Sequence, residues 1–141
     1  MATSTYLSNP VVLIGATSAA TTDITDQVSA ATLTVTAEAL EDTAFGSTSR
    51  TMTAGLFSNS LTLTVYASYA ASESYATLSA LIGTKCYVKV SPASGANSAT
   101  NPGFELTGTY LSAIPVINAS LGELSTYEIE LQGGVYTIDV T

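Results

Sequence analysis

The sequence predicts a mainly β protein, either an antiparallel β-sandwich or a partly open barrel with one short flanking α-helix. Two observations support this fold class. Several short segments alternate apolar and polar residues, which is the period of a strand with one buried face. Only one segment repeats its apolar residues at helical spacing. Such elements bury their apolar faces by packing sheet on sheet or by curling one sheet around a core.

The predicted strands follow one another along the chain. Residues 1–20, MATSTYLSNPVVLIGATSAA, lack the basic start of a secretory signal, so we interpret residues 11–14 as a strand. Alternation then predicts strands at residues 31–36, 60–66, 86–90, 104–110 and 127–131. The pair Gly133-Gly134 permits positive φ angles and therefore predicts a tight hairpin that leads into a last strand at residues 135–140.

Residues 71–82 are predicted to form the one helix. Its apolar stripe consists of Tyr75, Leu78 and Leu81 or Ile82. We expect Ser72 to cap the first turn, Glu73 to lie favourably within it, and Gly83 to end the helix. Because the stripe is short and amphipathic, it is expected to face the core rather than a partner.

Length and composition indicate a single domain that spans residues 1–141. A chain of 141 residues can bury a sizeable core, and 46% hydrophobic against 10% charged residues excludes charge-driven disorder. Two long connectors stand out, at residues 41–59 and 91–101. Long irregular connectors in a compact domain are usually functional or disordered.

The charge balance excludes several classes of partner. Three basic and eleven acidic residues give a formal charge of −8, so stable binding to nucleic acid or to anionic lipid is not expected. No segment has the apolar length of a membrane span. The single cysteine, Cys86, cannot form an intrachain disulfide, which favours folding in a reducing compartment and a role as a small buried residue.

The sequence gives little support to an enzyme. It contains no histidine, the commonest general base and metal ligand, and no phosphate-binding glycine motif, so no catalytic residue, metal or cofactor is predicted. Asp23 and Asp26 lack the spaced ligands of a calcium loop and are expected to serve a turn. Glu128 and Glu130 would suit acid–base chemistry only inside a cleft, and a solvated strand face is the default.

The polar strand faces carry Thr and Glu rather than Lys and Glu. Such a face tolerates close lateral neighbours, and unpaired strand edges could be completed by identical copies in a closed ring. The sequence therefore indicates self-assembly.

The order of several segments resembles the major tail proteins, or tail tube proteins, of long-tailed bacteriophages. The segments are DITDQV, a Thr-rich strand, ALEDTAFG followed by a basic residue and AGL, and SLTLTVY. Later ones are LIGT, KVSPASG, SATNPGFELTGTYLSAIP and LGELSTYEIEL. The likeness extends over roughly residues 11–141.

The resemblance implies a β-sandwich or barrel flanked by a helix, hexameric rings, and stacking of those rings into a hollow tube through which the genome leaves. In such proteins a long loop between two early strands reaches the next subunit or ring, and residues 41–59 occupy the matching place. Glu41, Asp42 and Arg50 are then candidates for ion pairs between subunits. Phe45, Leu56 and Phe57 are candidate apolar anchors. The alternative is a mobile surface loop in which Arg50 pairs locally.

The resemblance also implies a role for the excess of acidic residues. Acids that face the channel would repel DNA phosphates and keep the genome from adhering to the wall. Glu128 and Glu130 are the first candidates, and Glu105 and Asp139 follow. The alternative is that these charges cover the outer surface and maintain solubility.

The resemblance also implies partners and a location. The partners are other copies of the chain, tail proteins such as tape measure and terminator, and genomic DNA as transient cargo. The location is the virion tail, assembled in the bacterial host cytoplasm. Other classes stay open from the sequence alone: a capsid decoration protein, a head–tail connector, or a carbohydrate-binding module, the last weakened by the absence of Trp.

Overall fold

The computed structural model describes residues 10–141 of the chain. They form eight strands, a 3₁₀ turn and one short α-helix: β1 (Val11–Thr17), β2 (Ala20–Asp23), the 3₁₀ turn (Thr25–Gln27), β3 (Val28–Glu41), β4 (Met52–Tyr66), α1 (Ser74–Ser79), β5 (Lys85–Ser91), β6 (Gly103–Leu111), β7 (Thr126–Gln132) and β8 (Val135–Asp139). The predicted class, mainly β with one short helix, is confirmed.

All eight strands belong to one antiparallel sheet. Its order is β2-β1-β5-β6-β7-β4-β3, and β8 pairs with β6 beside this path. The buried core side chains that strands contribute come from β1, β5, β6, β7 and β4, which together reach from near one end of this order to near the other: Val12, Ile14, Leu61, Leu63, Val65, Cys86, Val88, Leu106, Leu111, Tyr127, Ile129 and Leu131. Because β1 and β4 share one core, the sheet must curl around it.

The curled sheet stays open on one side. Across residues 10–141 its two end strands, β2 and β3, do not pair with each other. A cleft of about 320 Å³ lies near this opening, between Val12 of β1, Val28 of β3, and Val90 with Phe104 of the neighbouring strands. Of the two predicted architectures, the partly open barrel describes this single sheet better than a sandwich of two separate sheets.

The predicted strands lie within observed strands, except that the last one, predicted at residues 135–140, ends at Asp139, and two elements differ more widely in extent. β3 has 14 residues and β4 has 15, so both run far beyond the alternating segments that predicted them. The short strand β2 was not predicted. It pairs with β1 through a tight turn, and its four residues are too few to show a period.

The predicted hairpin at Gly133-Gly134 is wrong. Both glycines have positive φ angles, as expected, yet β8 pairs with β6 and not with β7. β7 and β8 instead run in the same direction along β6, with a break between them opposite Gly108, which also has positive φ. Asn59 of β4 holds this break, because its carbonyl accepts from Gly133 N at 2.8 Å and its Nδ2 donates to Gly134 O at 3.0 Å. The chain therefore bends at the glycines without reversing.

The helix is shorter than predicted and is not capped by Ser72. Ser72 has a φ of 63°, which no helix start adopts, and α1 begins at Ser74. The Ser74 hydroxyl donates to Tyr66 O at 2.8 Å and accepts from Ser68 N at 3.0 Å, so it fastens the helix to the end of β4. Leu78 is fully buried, so the stripe faces the core as expected, whereas Ile82 is exposed.

The prediction that residues 1–20 are not a secretory signal falls in part on residues 1–9, which lie outside the described residues. Val11 begins β1, as expected from the sequence. Within residues 10–141, no helix has the length and hydrophobicity required to span a bilayer.

Replacement of Gly134 by alanine tests the break between β7 and β8. A Cβ at Gly134 would lie 2.9 Å from Thr107 O and 2.9 Å from Thr109 N, in addition to the strain of a φ of +90°. We expect Gly134→Ala to lower the free energy of unfolding by roughly 3 kcal/mol or more. Urea unfolding midpoints measure this difference.

Gly46→Ala is the matched control for this substitution. Gly46 has a similar φ of +87°, and a Cβ added there would have nothing within 4 Å, so only the strain of about 1–2 kcal/mol is expected. Equal losses from the two variants would contradict a close approach of β6 at Gly134.

Candidate functional site

The most exposed part of the fold is a long hairpin that projects from the barrel. It comprises residues 34–58, the second half of β3, the first half of β4 and the connector between them, and is called the arm below. Except for the half-buried Gly55, every residue of the arm is exposed. Since β7 pairs with β4 only from Ser60 onward, the arm is a two-stranded ladder held by the barrel at its base alone.

The ladder of the arm contains one irregularity. Pairing passes from Ala37 opposite Phe57 to Ala39 opposite Ala54, so two residues of β4 face the single Glu38 of β3. This is a β-bulge, which increases the local twist. Beyond it, the side of β4 that continues the core-facing row changes from odd-numbered to even-numbered residues. For that reason the alternation of apolar and polar residues along β4 is lost at the bulge.

The tip of the arm, residues 42–51, is an ordered turn. Asp42 N donates to Thr51 O at 3.0 Å, Thr51 N donates to Thr43 Oγ1 at 2.9 Å, and the Thr51 hydroxyl donates to Asp42 Oδ1 at 2.6 Å. Arg50 Nε lies 3.8 Å from Glu41 Oε1, and both side chains are largely exposed. An exposed pair of this length adds little to stability.

The predicted connector at residues 41–59 therefore needs a correction. Residues 52–59 belong to β4, so the irregular connector is confined to residues 42–51, and Leu56 and Phe57 lie on a strand. Glu41, Asp42, Phe45 and Arg50 lie together at or beside the tip, and Arg50 pairs with Glu41 of its own chain. Four of the large apolar side chains of the arm are more than half exposed: Phe45, Met52, Leu56 and Phe57.

The four acids predicted to line a channel fall into two different environments. Glu128 and Glu130 are exposed and alternate with the buried Tyr127, Ile129 and Leu131. Their neighbours across the sheet on β4 are Thr64 and Thr62. The ion pairs found within residues 10–141 involve neither glutamate. They form an acidic face with hydroxyl neighbours, as the sequence predicted.

Glu105 and Asp139 are instead half-buried and bonded within the chain. Glu105 accepts hydrogen bonds from the Tyr87 hydroxyl and from Thr137 Oγ1. Asp139 accepts from Lys89 Nζ at 3.0 Å and from Asn97 Nδ2 at 2.9 Å. These contacts connect β5, β6, β8 and the loop after β5, so both acids fasten the last strand to the barrel.

The pKa shifts follow from these contacts. Hydrogen bonds from the Thr141 backbone N–H, Lys89 and Asn97 hold the pKa of the Asp139 carboxyl well below its usual range. Burial and the hydrogen bond to Glu105 raise the pKa of Tyr87. Burial also raises the pKa of the Cys86 thiol to about 11, and its Sγ lies 3.4 Å from Thr109 O. Cys86 is therefore the unreactive buried residue that the sequence predicted.

Asn59 is the functional candidate that sequence reasoning missed. It is 5% exposed and lies where the arm leaves the barrel. Its Nδ2 holds Gly134, but its Oδ1 is buried without a hydrogen-bond partner among residues 10–141. The sequence offers no signal for this role of Asn59, because its hydrogen bond is to Gly134, 75 residues away in the chain.

Few of the described residues are arranged for metal binding or other site chemistry. Asp23 Oδ1 accepts from Thr25 N at 2.9 Å, which is the turn role expected for that segment. Among the described residues, no group of three or more His, Cys, Asp or Glu side chains could hold a metal ion.

Comparison by sequence finds no relative, since no protein-family model and no curated protein matches the chain. Comparison by structure does. A chain of the SPP1 tail tube superposes with a TM-score of 0.71 at 11% identity, covering 94% of this chain and 77% of the other. A chain of the sheath/tube terminator of the PVC extracellular contractile injection system gives 0.69 at 12% identity, covering 99% of both.

A third match extends the same result. A chain in the virion of the native gene transfer agent (GTA) particle gives a TM-score of 0.63 at 16% identity and covers 92% of this chain and 95% of the other. The chain thus has the fold of proteins found in tail tubes and related tube assemblies. The expected resemblance to tail tube proteins is confirmed at the level of fold.

The contacts of Asp139 give an expectation about pH. A carboxyl whose pKa is lowered by folding adds stability above its unfolded pKa, and this stability is lost as pH falls toward the folded pKa. We expect Asp139→Asn to be less stable than the parent chain at pH 7, and the difference to shrink from about pH 5 downward. Thermal unfolding from pH 7 to pH 2 measures this.

Glu128→Gln serves as the control, because Glu128 is exposed and has no ion pair among the described residues. Its unfolding should follow the parent chain across the same pH range. A difference between Asp139→Asn and the parent that does not change with pH would contradict the assigned role of the charge.

Proposed function

We propose that this protein is a structural subunit of the tail tube of a phage-type particle. In this proposal copies of the chain close into rings, six to a ring, and the rings stack into a hollow tube through which DNA passes. The observation that supports it best is the fold shared with the SPP1 tail tube chain over 94% of this chain. The long exposed arm is in keeping with a structural role.

The arm is the proposed contact between copies. It exposes large apolar side chains on a ladder that the barrel holds only at its base, and such surfaces usually meet a partner. Phe45, Leu56 and Phe57 would supply the apolar contacts. Glu41, Asp42 and Arg50 at the tip would direct the approach and add little energy where they stay exposed.

Strand edges supply the second contact. Within residues 10–141 the outer edge of β3 has no strand beside it, and β8 pairs on one side only. Such edges invite pairing with another chain. Closure of six copies into a ring would leave no free edge and would prevent uncontrolled aggregation.

Acidic side chains would line the inner surface of the tube. Six copies at −8 each give a ring a formal charge of −48. Glu128 and Glu130 are free of internal partners among residues 10–141 and are the proposed channel-facing acids. Glu105 and Asp139, considered for the same role, are occupied by internal hydrogen bonds and would support the wall. A wall without basic groups would repel phosphates and let DNA slide.

The proposed function implies particular partners and a location. Its principal partner is itself, with tape measure and terminator proteins as further tail partners and genomic DNA as transient cargo. It acts in the virion tail after assembly in the bacterial host cytoplasm, and it needs no cofactor, membrane or enzymatic activity.

A tube terminator is the second candidate function. Chains in the structures of the PVC sheath/tube terminator and of the anti-feeding prophage tube terminating cap share the fold, with TM-scores of 0.69 and 0.66. A terminator would form one ring rather than a stack. Electron microscopy of the purified protein separates the two, since long open-ended tubes support a tube subunit and single rings support a terminator.

Removal of the distal arm tests the proposed contact. We expect a variant in which Asn-Gly replaces residues 40–53 to fold normally, because the removed residues are exposed and the new turn joins the paired Ala39 and Ala54. The same variant should form no tubes by electron microscopy. Circular dichroism and sedimentation check that the monomer is intact.

Arg50→Gln is the control for the arm, since it keeps the arm and removes only the exposed ion pair. It should assemble, with at most a small rise in the concentration required. Tubes of normal length from the shortened variant would contradict the role of the arm.

Charge reversal tests the channel-facing acids. We expect tubes of a Glu128→Lys/Glu130→Lys variant to retain short duplex DNA that tubes of the parent chain do not, with retention falling as salt rises. DNA held inside the tube should also resist nuclease digestion. A filter-retention assay with and without nuclease measures both properties.

Glu123→Lys, at an exposed position in the loop after β6, is the control and should not produce nuclease-resistant DNA. Retained DNA that is fully digested in the double variant would place Glu128 and Glu130 on the outside of the tube.

A further inference from the structure

A cleft lies at the base of the arm, on the side that continues the core. It is called the arm-base cleft here and has a volume of about 430 Å³. Its lining consists of Val35, Phe57, Asn59, Gly134, Val135 and Tyr136. The lining is mostly apolar, its polar side-chain groups are the Asn59 amide and the Tyr136 hydroxyl, and it contains no charged side chain. It is therefore suited to an uncharged, largely apolar group.

Asn59 gives the cleft one specific requirement. This side chain is 5% exposed, and its Oδ1 has no hydrogen-bond partner among residues 10–141, although its Nδ2 is bonded to Gly134 O. A buried acceptor without a partner costs free energy. Because Oδ1 is closed to solvent, a donor entering the cleft would recover this free energy only if the Asn59 side chain turned toward it. The preferred occupant thus combines an apolar group with an N–H or O–H donor.

The tip of the arm carries such a group. Phe45 is as exposed as in an extended peptide, at 109%, and residues 43–49 contain no charged side chain. Within the described chain, the backbone N–H groups of Phe45 and Gly46 donate no hydrogen bond. With a net charge of −8 on every copy, two copies meet most easily where neither surface carries acids.

The occupant must come from a second copy. Apart from the bulge opposite Glu38, the ladder is paired from Val35 opposite Asn59 to Glu41 opposite Met52, which places the tip about 20 Å from its own cleft at the rise of a β-strand. A tip that is held away from its own cleft remains available to the cleft of another chain.

We propose that the arm-base cleft of one copy receives the Phe45 side chain of a second copy, and that the Asn59 side chain turns so that its Oδ1 accepts a hydrogen bond from a backbone N–H of the entering tip. This inference rests on the proposed function, in which copies of the chain assemble, and it names the receiving surface for the arm. The contact is heterologous, since tip and cleft are different surfaces of the same chain.

Cross-linking between two single-cysteine additions tests the contact. Cys86 is 1% exposed with a raised pKa, so its background reaction is small. Ser47→Cys protein, which keeps Phe45 and carries its cysteine at an exposed position of the same tip, is mixed with Val135→Cys protein under assembly conditions and treated with a short bismaleimide. We expect a covalent dimer that neither protein yields alone. Leu121→Cys mixed with Val135→Cys is the control, because Leu121 is also exposed, at 106%, but lies in another loop.

Substitution supplies a second measurement. Phe45→Ser should raise the protein concentration needed for assembly by about tenfold or more, as expected for an aromatic anchor, while Leu121→Ser should leave it unchanged. Both positions are fully exposed, so neither variant is expected to lose its fold.

The outcomes separate this inference from the proposed function. Tubes without the dimer between positions 47 and 135, or equal cross-linking in the Leu121 control, overturn the inference and leave the tube function in place; such a result would point to the edge of β8 or another protein as the partner surface. The specific dimer without tubes supports the inference and overturns the tube function. Absence of both the dimer and any assembly overturns both.

Discussion

The rest of the structure depends on the pairing between the second half of β4 and β7. Leu61, Leu63 and Val65 lie opposite Leu131, Ile129 and Tyr127, and all six side chains are buried. Burial of side chains of this size contributes roughly 1.5–3 kcal/mol each, so this pairing fixes β4 firmly in the barrel. The first half of β4 forms one strand of the arm. Because the second half is fixed in the barrel, the direction in which the arm leaves the barrel is fixed as well. A projecting hairpin without such an anchor would be marginally stable.

The sequence predicts those parts of the fold that depend on local period. Leu61, Leu63 and Val65 alternate with polar residues because one side of β4 faces the core, and this alternation reveals the strand. Residues 52–58 of the same strand instead resemble a connector in sequence, because both of their faces are exposed and a bulge interrupts the alternation. Exposure on both faces removes the pattern on which strand prediction relies.

The contacts that the sequence predicts wrongly are those set by distant residues. Gly133 and Gly134 adopt positive φ as expected, but their sequence cannot tell a reversal from a bend. The outcome depends on Asn59 and on the irregular pairing at Gly108. In the same way, the sequence groups Asp139 with Glu128 as a free acid, whereas Lys89 and Asn97, more than 40 residues away, hold it in the structure. The comparison with solved structures establishes the fold, while the surfaces proposed for assembly follow from exposure and unsatisfied groups.

The bulge opposite Glu38 has a consequence for how the arm can vary. Side chains alternate along a strand, so adding or removing one residue beyond the bulge would turn every later side chain to the opposite face. A change of two residues would keep each side chain on its original face and only move the tip along the strand axis. The arm can therefore be lengthened or shortened in even steps without rotating its tip, whereas an odd step would turn Phe45 away from any surface that the present geometry allows it to meet.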